Sequence, residues 1–380
     1  MESFIQNVDN AIDINSLVNE KESDFECHFH EDDNKSATIR DNQYECKCCG
    51  VTMTATEYHS QRYATPLAFS AFLLSRGKVP PPKAVDPDVL KRIELLKVIK
   101  SVAFRCKKAL FAKNKYSETC LDYLKNERNL DKDTIDNFHI GFFPGGKWFI
   151  DELVKDSDID LLLELGIVKK SEKNDSLYSP FSNRVLFPIV NELNQICAFG
   201  GRVLPGDNRV KYYNSPTSSI FQKSEITYRC PSPFTQKKVG VIVEGYLDVI
   251  SCSNVSTELH LEAPLGTAMN ATQIRRLHQK CGSVILVTDG DNAGIKASLR
   301  AIKDLLPKLG KIDIRLTTIP DNLDPDEYIS SHGPDGFLKL LNNAKTPSEF
   351  VNEHENINPQ TNKLLHLEMQ DNYNLAPFYD

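Results

Sequence analysis

The sequence predicts a multidomain α/β chain with a small cysteine-rich ribbon, then an α+β segment, then a parallel-sheet α/β core. Three observations predict it. Cysteines and a histidine cluster near the N-terminus. A proline triplet separates them from the rest. From Val239 onward, short apolar runs alternate with helical periods. A length of 380 residues leaves room for two or three domains with real cores.

In the N-terminal module, Cys27-x2-His30-x15-Cys46-x2-Cys49 has the spacing of two knuckles closing on one tetrahedral Zn²⁺. Four protein ligands leave no open position, so this zinc is expected to be structural and to supply folding energy that a small core lacks. Cys48 competes in the KCCG turn, but the x2 spacing favours Cys46 and Cys49. His28 and His59 read as packing or surface residues.

The segment SRGKVPPPKAVDP, from Ser75 to Pro87, disfavours helix and central strand and reads as a linker. Val89 to Leu130 has helical spacing. Val185 to Val190 and Ile196 to Val203 suit a strand pair. Then VGVIVEG, LHLEAPLG, SVILVTDGD and KIDIRLTTIP read as strands. Between them YLDVISCSN, TAMNATQIRRLHQK and NAGIKASLRAIKDLLPKL read as helices. Such βαβ units imply a mostly parallel sheet. Past Asn342 the pattern becomes a polar, weakly helical tail.

The formal charge of -7 does not advertise a nucleic-acid binder, but it is unevenly spread. Residues 1–60 carry 13 acidic and 4 basic groups, and residues 91–130 carry 11 basic and 4 acidic. No apolar run approaches the roughly 20 residues that span a bilayer. The start, MESFIQNVDN, lacks the pattern of a signal peptide. The expectation is a cytoplasmic protein, with no membrane partner and reduced cysteines.

The chemistry is expected at the ends of the strands. Glu244 ends VGVIVEG, Asp289 and Asp291 end SVILVTDGD, and Asp324 and Asp326 follow KIDIRLTTIP. In an open parallel sheet the carboxyl ends of the strands share one edge, where ligands bind. Five carboxylates on one rim repel one another, and Mg²⁺ or Mn²⁺ relieves that cost. Such ions activate a hydroxyl nucleophile and stabilise a leaving pyrophosphate. No GxxxxGK[ST] or GxGxxG occurs, which argues against a P-loop motor and a dinucleotide oxidoreductase.

Glu244-Gly245-Tyr246-Leu247-Asp248, Asp289-Gly290-Asp291 and Asp324-Pro325-Asp326 resemble the Toprim domain of primases, topoisomerases and some nucleases. LGTAMNATQIRRL, TDGDNAGIKAS and DPDEYI resemble the bacterial DnaG-type primase form of it. NRVLFPI, AFGGRVL and KYYNSPTSSIFQKS resemble the core segment that precedes Toprim there. YLKNERNL, one residue longer than the family's segment, and IDNFHIGFFP resemble its basic subdomain. Cys27, His30, Cys46 and Cys49 match the family's zinc ribbon.

The resemblance implies synthesis of short RNA primers from NTPs on single-stranded DNA, with a replicative helicase as partner. It implies Glu244, Asp289 and Asp291 as catalytic acids, and with Asp324 and Asp326 as the Mg²⁺ or Mn²⁺ ligands, while Asp248 supports them. It implies Arg128, Arg184, Arg202, Lys211, Asn214 and Lys223 as nucleotide and template contacts, with Ser215 in the same NSP segment. Tyr212 and Tyr213 suit base stacking.

The divisions expected are a zinc ribbon at 1–75, a linker at 76–90, a basic subdomain at 91–236, a Toprim domain at 237–330 and a helical tail at 331–380. No helicase-binding domain is expected, as in a short phage or mobile-element form. Two other readings compete: a Toprim nuclease or topoisomerase-like enzyme, and a catalytically silent zinc-ribbon adaptor of the replisome.

Overall fold

The computed structural model describes residues 2–18, 20, 22–29, 34–63, 66–75, 87–231, 239–266, 269–309 and 312–354. The first unit is a four-stranded antiparallel sheet of β1 (Asp24–Phe25), β2 (Ala37–Arg40), β3 (Gln43–Cys46) and β4 (Thr52–Met53), in that order. A two-residue turn, Asp41-Asn42, joins β2 to β3, and both residues have positive φ, as a tight hairpin of this hand requires. Tyr44 and Tyr58 are fully buried in its core, with ring centroids 5.2 Å apart.

The next unit opens on helix α1 (Pro87–Leu110), which starts inside the expected linker, where a first-turn proline has no amide hydrogen bond to lose. The helical spacing to Leu130 is not one helix. The chain breaks at residues 111–114, and Asn114 starts α2 (Lys115–Asp122) with a capping box to Ser117. Helix α1 packs on a second antiparallel sheet, ordered β8-β7-β6-β5, of β5 (Gly141–Phe143), β6 (Arg184–Val190), β7 (Ile196–Val203) and β8 (Tyr212–Asn214). The expected strand pair is β6 and β7.

The third unit is the expected parallel sheet. Its strands are β9 (Tyr228–Arg229), β10 (Val239–Ile242), β11 (Leu259–Ala263), β12 (Val284–Thr288) and β13 (Ile314–Thr318), in the order β9-β11-β10-β12-β13. All pairs are parallel except β9 on β11. Helices α3 (Tyr246–Cys252), α4 (Ala271–Cys281) and α5 (Asn292–Leu309) connect the strands, and α6 (Pro325–Asn342) follows β13. The chain goes outward from β10 to β11, then crosses back to β12. That reversal opens a crevice at the carboxyl ends of β10 and β12.

The last two units share one apolar core. Phe187 and Ile189 of β6 belong to the same buried cluster as Val241, Tyr246 and Leu261. The Tyr246 ring lies 4.5 Å from Tyr228 and 5.7 Å from Phe187. Beside this core stands a buried ionic network. Glu262 of β11 is 0% exposed, accepts from Thr227 Oγ1 at 2.6 Å, and lies 3.7 Å from Arg276 of α4. Arg276 also reaches Glu192, in the turn between β6 and β7, at 3.1 Å. Burial alone would push the Glu262 carboxyl up, but His260, Thr227 and Arg276 hold it down to about 2. Removing the Glu262 charge takes a buried carboxylate away from His260 and Thr227, while Arg276 keeps Glu192. Glu262→Gln is therefore expected to lower the unfolding free energy by about 2–3 kcal/mol. An unchanged urea midpoint would contradict this account of the network.

Candidate active site at the carboxyl edge of the parallel sheet

Each acid is placed by the end of a strand or the start of a helix. Glu244 lies two residues beyond β10, and its Oε1 accepts from the Asp289 amide at 3.1 Å. Asp289 directly follows β12. Asp291 accepts from Gly294 N at 2.7 Å at the start of α5. Asp324 caps α6 in a reciprocal box: its Oδ1 accepts from Glu327 N at 2.8 Å, and Glu327 Oε2 accepts from Asp324 N at 3.2 Å. Asp248, in the first turn of α3, accepts from Gly245 N at 2.8 Å. Three helices thus start at this rim, where their N-terminal amides favour negative charge. Gly290 is required between the two aspartates. A Cβ there would overlap the Ile319 carbonyl oxygen, so any side chain would push apart the exits of β12 and β13.

The rim is electrostatically crowded. Burial, then the charges of Glu244, Asp324, Asp291 and Glu327, push the Asp289 carboxyl up to about 7. Burial, then Asp289 and Asp324, push Asp248 up to about 7 against the pull of the Gly245 amide. Asp326 is also raised, chiefly by burial, although Ser251 and Arg128 oppose it. Asp289 Oδ1 is buried and has no hydrogen-bond partner among the described residues. An orphaned carboxylate oxygen among like charges is the environment that a hard cation satisfies, so the donor set fits a divalent ion. No three of these carboxylates bring an oxygen each within 4.8 Å of one another among the described residues. That spacing suits an open site completed by waters and phosphate oxygens.

A basic and aromatic wall faces the acids. A π turn, Tyr123–Glu127, follows α2 and delivers Arg128. The turn sets Arg128 at the rim, where it meets Asp326. Arg128 Nη1 lies 3.7 Å from Asp326 Oδ2, and Arg128 Nε donates to Tyr123 Oη at 3.0 Å. Arg202 donates to Tyr212 Oη at 2.7 Å and lies 5.6 Å from the Tyr123 ring centroid. Asn214 accepts from Tyr246 Oη at 2.5 Å and donates to Leu265 O, tying β8 to the parallel-sheet domain.

The other expected contacts stand elsewhere. Arg184 is 4% exposed and donates to the carbonyls of Pro180, Gly201, Val210 and Lys211, so it fastens a loop rather than facing ligand. Ser215 is buried and pairs with Phe199 across β7. Lys211 is exposed and Lys223 half-buried. Tyr212 packs edge-on to Tyr246, and Tyr213 edge-on to Phe181, so neither ring is splayed for stacking on a base. The sequence reading missed Ser251, which donates to Asp326 Oδ1 at 2.8 Å, and Tyr123. A serine on α3 offers no signal by itself. Tyr123 opens the YLKNERNL segment, five residues before Arg128.

In the N-terminal module, Cys27, Cys46 and Cys49 present their sulfurs within 4.8 Å of one another. Cys27 and Cys49 Sγ are 3.9 Å apart, close to the ~3.8 Å edge of a tetrahedron with 2.3 Å metal–sulfur bonds. Burial raises the Cys27 thiol and pushes Cys49 up to about 12, so thiolates here need a cation beside them. His30 lies outside the described residues. Cys48 is exposed and outside the cluster. His28 is engaged by Tyr58 Oη at 2.6 Å and Glu20 at 3.1 Å, as a packing histidine would be.

Known proteins resemble the chain in both halves of this site. Residues 107–232 match the family model of the DNA primase catalytic core, N-terminal domain, and residues 241–329 match the Toprim-like model. A DNA primase of Rickettsia felis is 32% identical over 336 residues, covering 86% of this chain and 55% of that protein. One of Enterococcus faecalis is 29% identical over 339 residues, covering 84% and 53%. The chain thus spans just over half the length of these relatives.

Among solved structures, a DnaG primase catalytic domain bound to single-stranded DNA is similar with a TM-score of 0.62. It shows 28% identity over 69% of this chain and 82% of that one. The zinc-binding and RNA polymerase domains of the Aquifex aeolicus primase share the fold over 95% of this chain and 90% of that one, with a TM-score of 0.64 and 24% identity. The chain carries the catalytic core and Toprim domain of a DnaG-type DNA primase. No described helix is long and apolar enough to cross a membrane.

A carboxyl whose folded pKa is raised contributes stability at low pH that is lost as pH rises toward that value. For Asp289 and Asp248 the window runs from about 4, the ordinary aspartate value, to about 7. The metal-free protein should therefore melt at falling temperatures as pH rises across that window. Asp289→Asn should flatten the decline, and Mn²⁺ should raise the wild-type melting temperature at pH 8 but scarcely at pH 5. Equal slopes for wild type and variant in differential scanning fluorimetry would refute this electrostatic account.

Proposed function

We propose that the chain is the polymerising part of a DNA primase. It makes short RNA primers de novo from NTPs on a single-stranded DNA template, by metal-assisted nucleotidyl transfer in the cytoplasm. The observation that carries this reading is the unsatisfied Asp289 carboxylate among like charges at the switch point of the sheet, on the rim where Arg128 meets Asp326. Glu244, Asp289 and Asp291, with Asp324 and Asp326, would hold Mg²⁺ or Mn²⁺. Such ions, once bound, lower the pKa of a 3'-hydroxyl and neutralise a leaving pyrophosphate.

The chain's own residues position the substrates. Arg202, with the planar fork that suits bidentate phosphate contact, and the mobile Lys211 and Lys223 would grip triphosphates. Arg128 would hold the template strand. Asp248, half-buried beside the acids, would orient the start of α3 through Gly245. Cys27, Cys46, Cys49 and His30 would close a structural zinc site in a ribbon domain at 1–75. The basic subdomain at 91–236 and the Toprim domain at 237–330 would form the two walls, with the tail at 331–380. The name "DNA primase" borne by the relatives, and the single strand bound to one structural neighbour, support the reading. A replicative helicase is the expected partner, and the phage or mobile-element form remains part of this proposal.

The test supplies single-stranded DNA, four NTPs and Mg²⁺ or Mn²⁺. Short, template-dependent RNA is expected, and Asp289→Ala should abolish it while leaving strand binding largely intact. Cleavage of the DNA with no RNA on any template would favour a Toprim nuclease instead.

A further inference from the structure

Two carboxylates of the rim are in opposite states. Asp289 is half-buried, and its buried Oδ1 has no hydrogen-bond partner among the described residues. Asp326 is engaged on both oxygens: Oδ1 accepts from Ser251 Oγ at 2.8 Å, and Oδ2 lies 3.7 Å from Arg128 Nη1. The arginine comes from the other wall of the crevice, at the end of the π turn, and is steadied by Tyr123 Oη. In this state its guanidinium is the cation that neutralises Asp326. A divalent ion drawn to the rim would compete for the same carboxylate.

We propose that Asp326 is shared between Arg128 and the divalent ion, so that loading the metal releases Arg128 to the phosphates of the template strand. The proposal rests on the primase reading, since it needs both a metal at the acids and a nucleic-acid strand along Arg128. The metal-free rim then holds its own template arginine in a self-inhibiting ion pair. Two cationic sites become coupled through a single carboxylate, and linkage makes the coupling reciprocal. Asp321, between β13 and α6, is exposed, has positive φ and makes no ion pair with Arg128. It therefore serves as the control for the general loss of negative charge. Asparagine tolerates positive φ as aspartate does, so Asp321→Asn keeps the turn. Asp326→Asn keeps an oxygen for Ser251.

The experiment measures anisotropy of a short fluorescein-labelled single-stranded DNA, in EDTA and at one fixed salt concentration. Asp326→Asn should bind the strand roughly two- to fivefold more tightly than wild type, the scale of a partly exposed ion pair. Arg128→Met should bind more weakly, and adding Asp326→Asn to it should restore nothing. Asp321→Asn should leave the affinity near that of wild type. The idea is overturned if Asp321→Asn tightens binding as much as Asp326→Asn does, or if the gain survives in the Arg128→Met background. Absence of strand binding by every form, wild type included, would sink the primase reading itself and this proposal with it.

Should Asp326→Asn prove unfolded in a thermal melt, the same claim is read from the other partner by electron paramagnetic resonance of free Mn²⁺. Arg128→Met should then bind the ion roughly two- to fivefold more tightly, again the scale of such a pair, and a variant of the exposed Arg275 on α4, Arg275→Met, should not. Equal gains in both arginine variants would reduce the effect to net charge and remove the switch.

Discussion

Crowding of like charge at one edge of a parallel sheet is the constraint on which the rest of the structure depends. Glu244, Asp289, Asp291, Asp324 and Asp326 come from three strand ends, and the fold brings them together because parallel strands all finish on the same side. Nothing about their own interactions favours that meeting. Asp289 and Asp248 are pushed to about 7, and one Asp289 oxygen is buried with no hydrogen-bond partner among the described residues. The fold tolerates the cost because three helix starts supply amides, and because the apolar core behind the rim fixes the strand ends. A protein that spends stability in this way holds a site ready for a cation instead of relaxing around its absence.

The second wall matters as much as the first. Arg128 reaches Asp326 because the unit that carries it is fused to the parallel sheet through a common core. Phe187, Tyr228 and Tyr246 pack as one aromatic cluster, while Glu262, Arg276 and Glu192 bind the same seam at its polar side. The seam therefore sets the width of the crevice. It also makes one arginine a partner of an acid when no other cation is present.

Much of this was legible in the sequence. The alternation of VGVIVEG, SVILVTDGD and their helices gave the parallel sheet, because buried parallel strands are short apolar runs and helices between them keep a 3.6-residue period. The acids were legible because each follows such a run directly, and the knuckle spacing singled out Cys27, Cys46 and Cys49. Other features were not. The break at 111–114 depends on one capping asparagine inside an otherwise helical stretch. The π turn before Arg128 leaves no mark in the helical periodicity of the segment. The resemblance implied Arg184 as a phosphate contact, yet its guanidinium is turned inward to four carbonyls. Ser251 gave no signal, since only tertiary packing places α3 beside α6.

The central claim is that the rim is a metal site organised around Asp289. Anomalous diffraction at the manganese edge, from crystals of the full chain grown with Mn²⁺, tests it most directly. The account predicts a peak within bonding distance of the Asp289 carboxylate, shared with at least one of Glu244, Asp291 and Asp324. Manganese bound elsewhere on the molecule, with none at the Asp289 carboxylate, would contradict it.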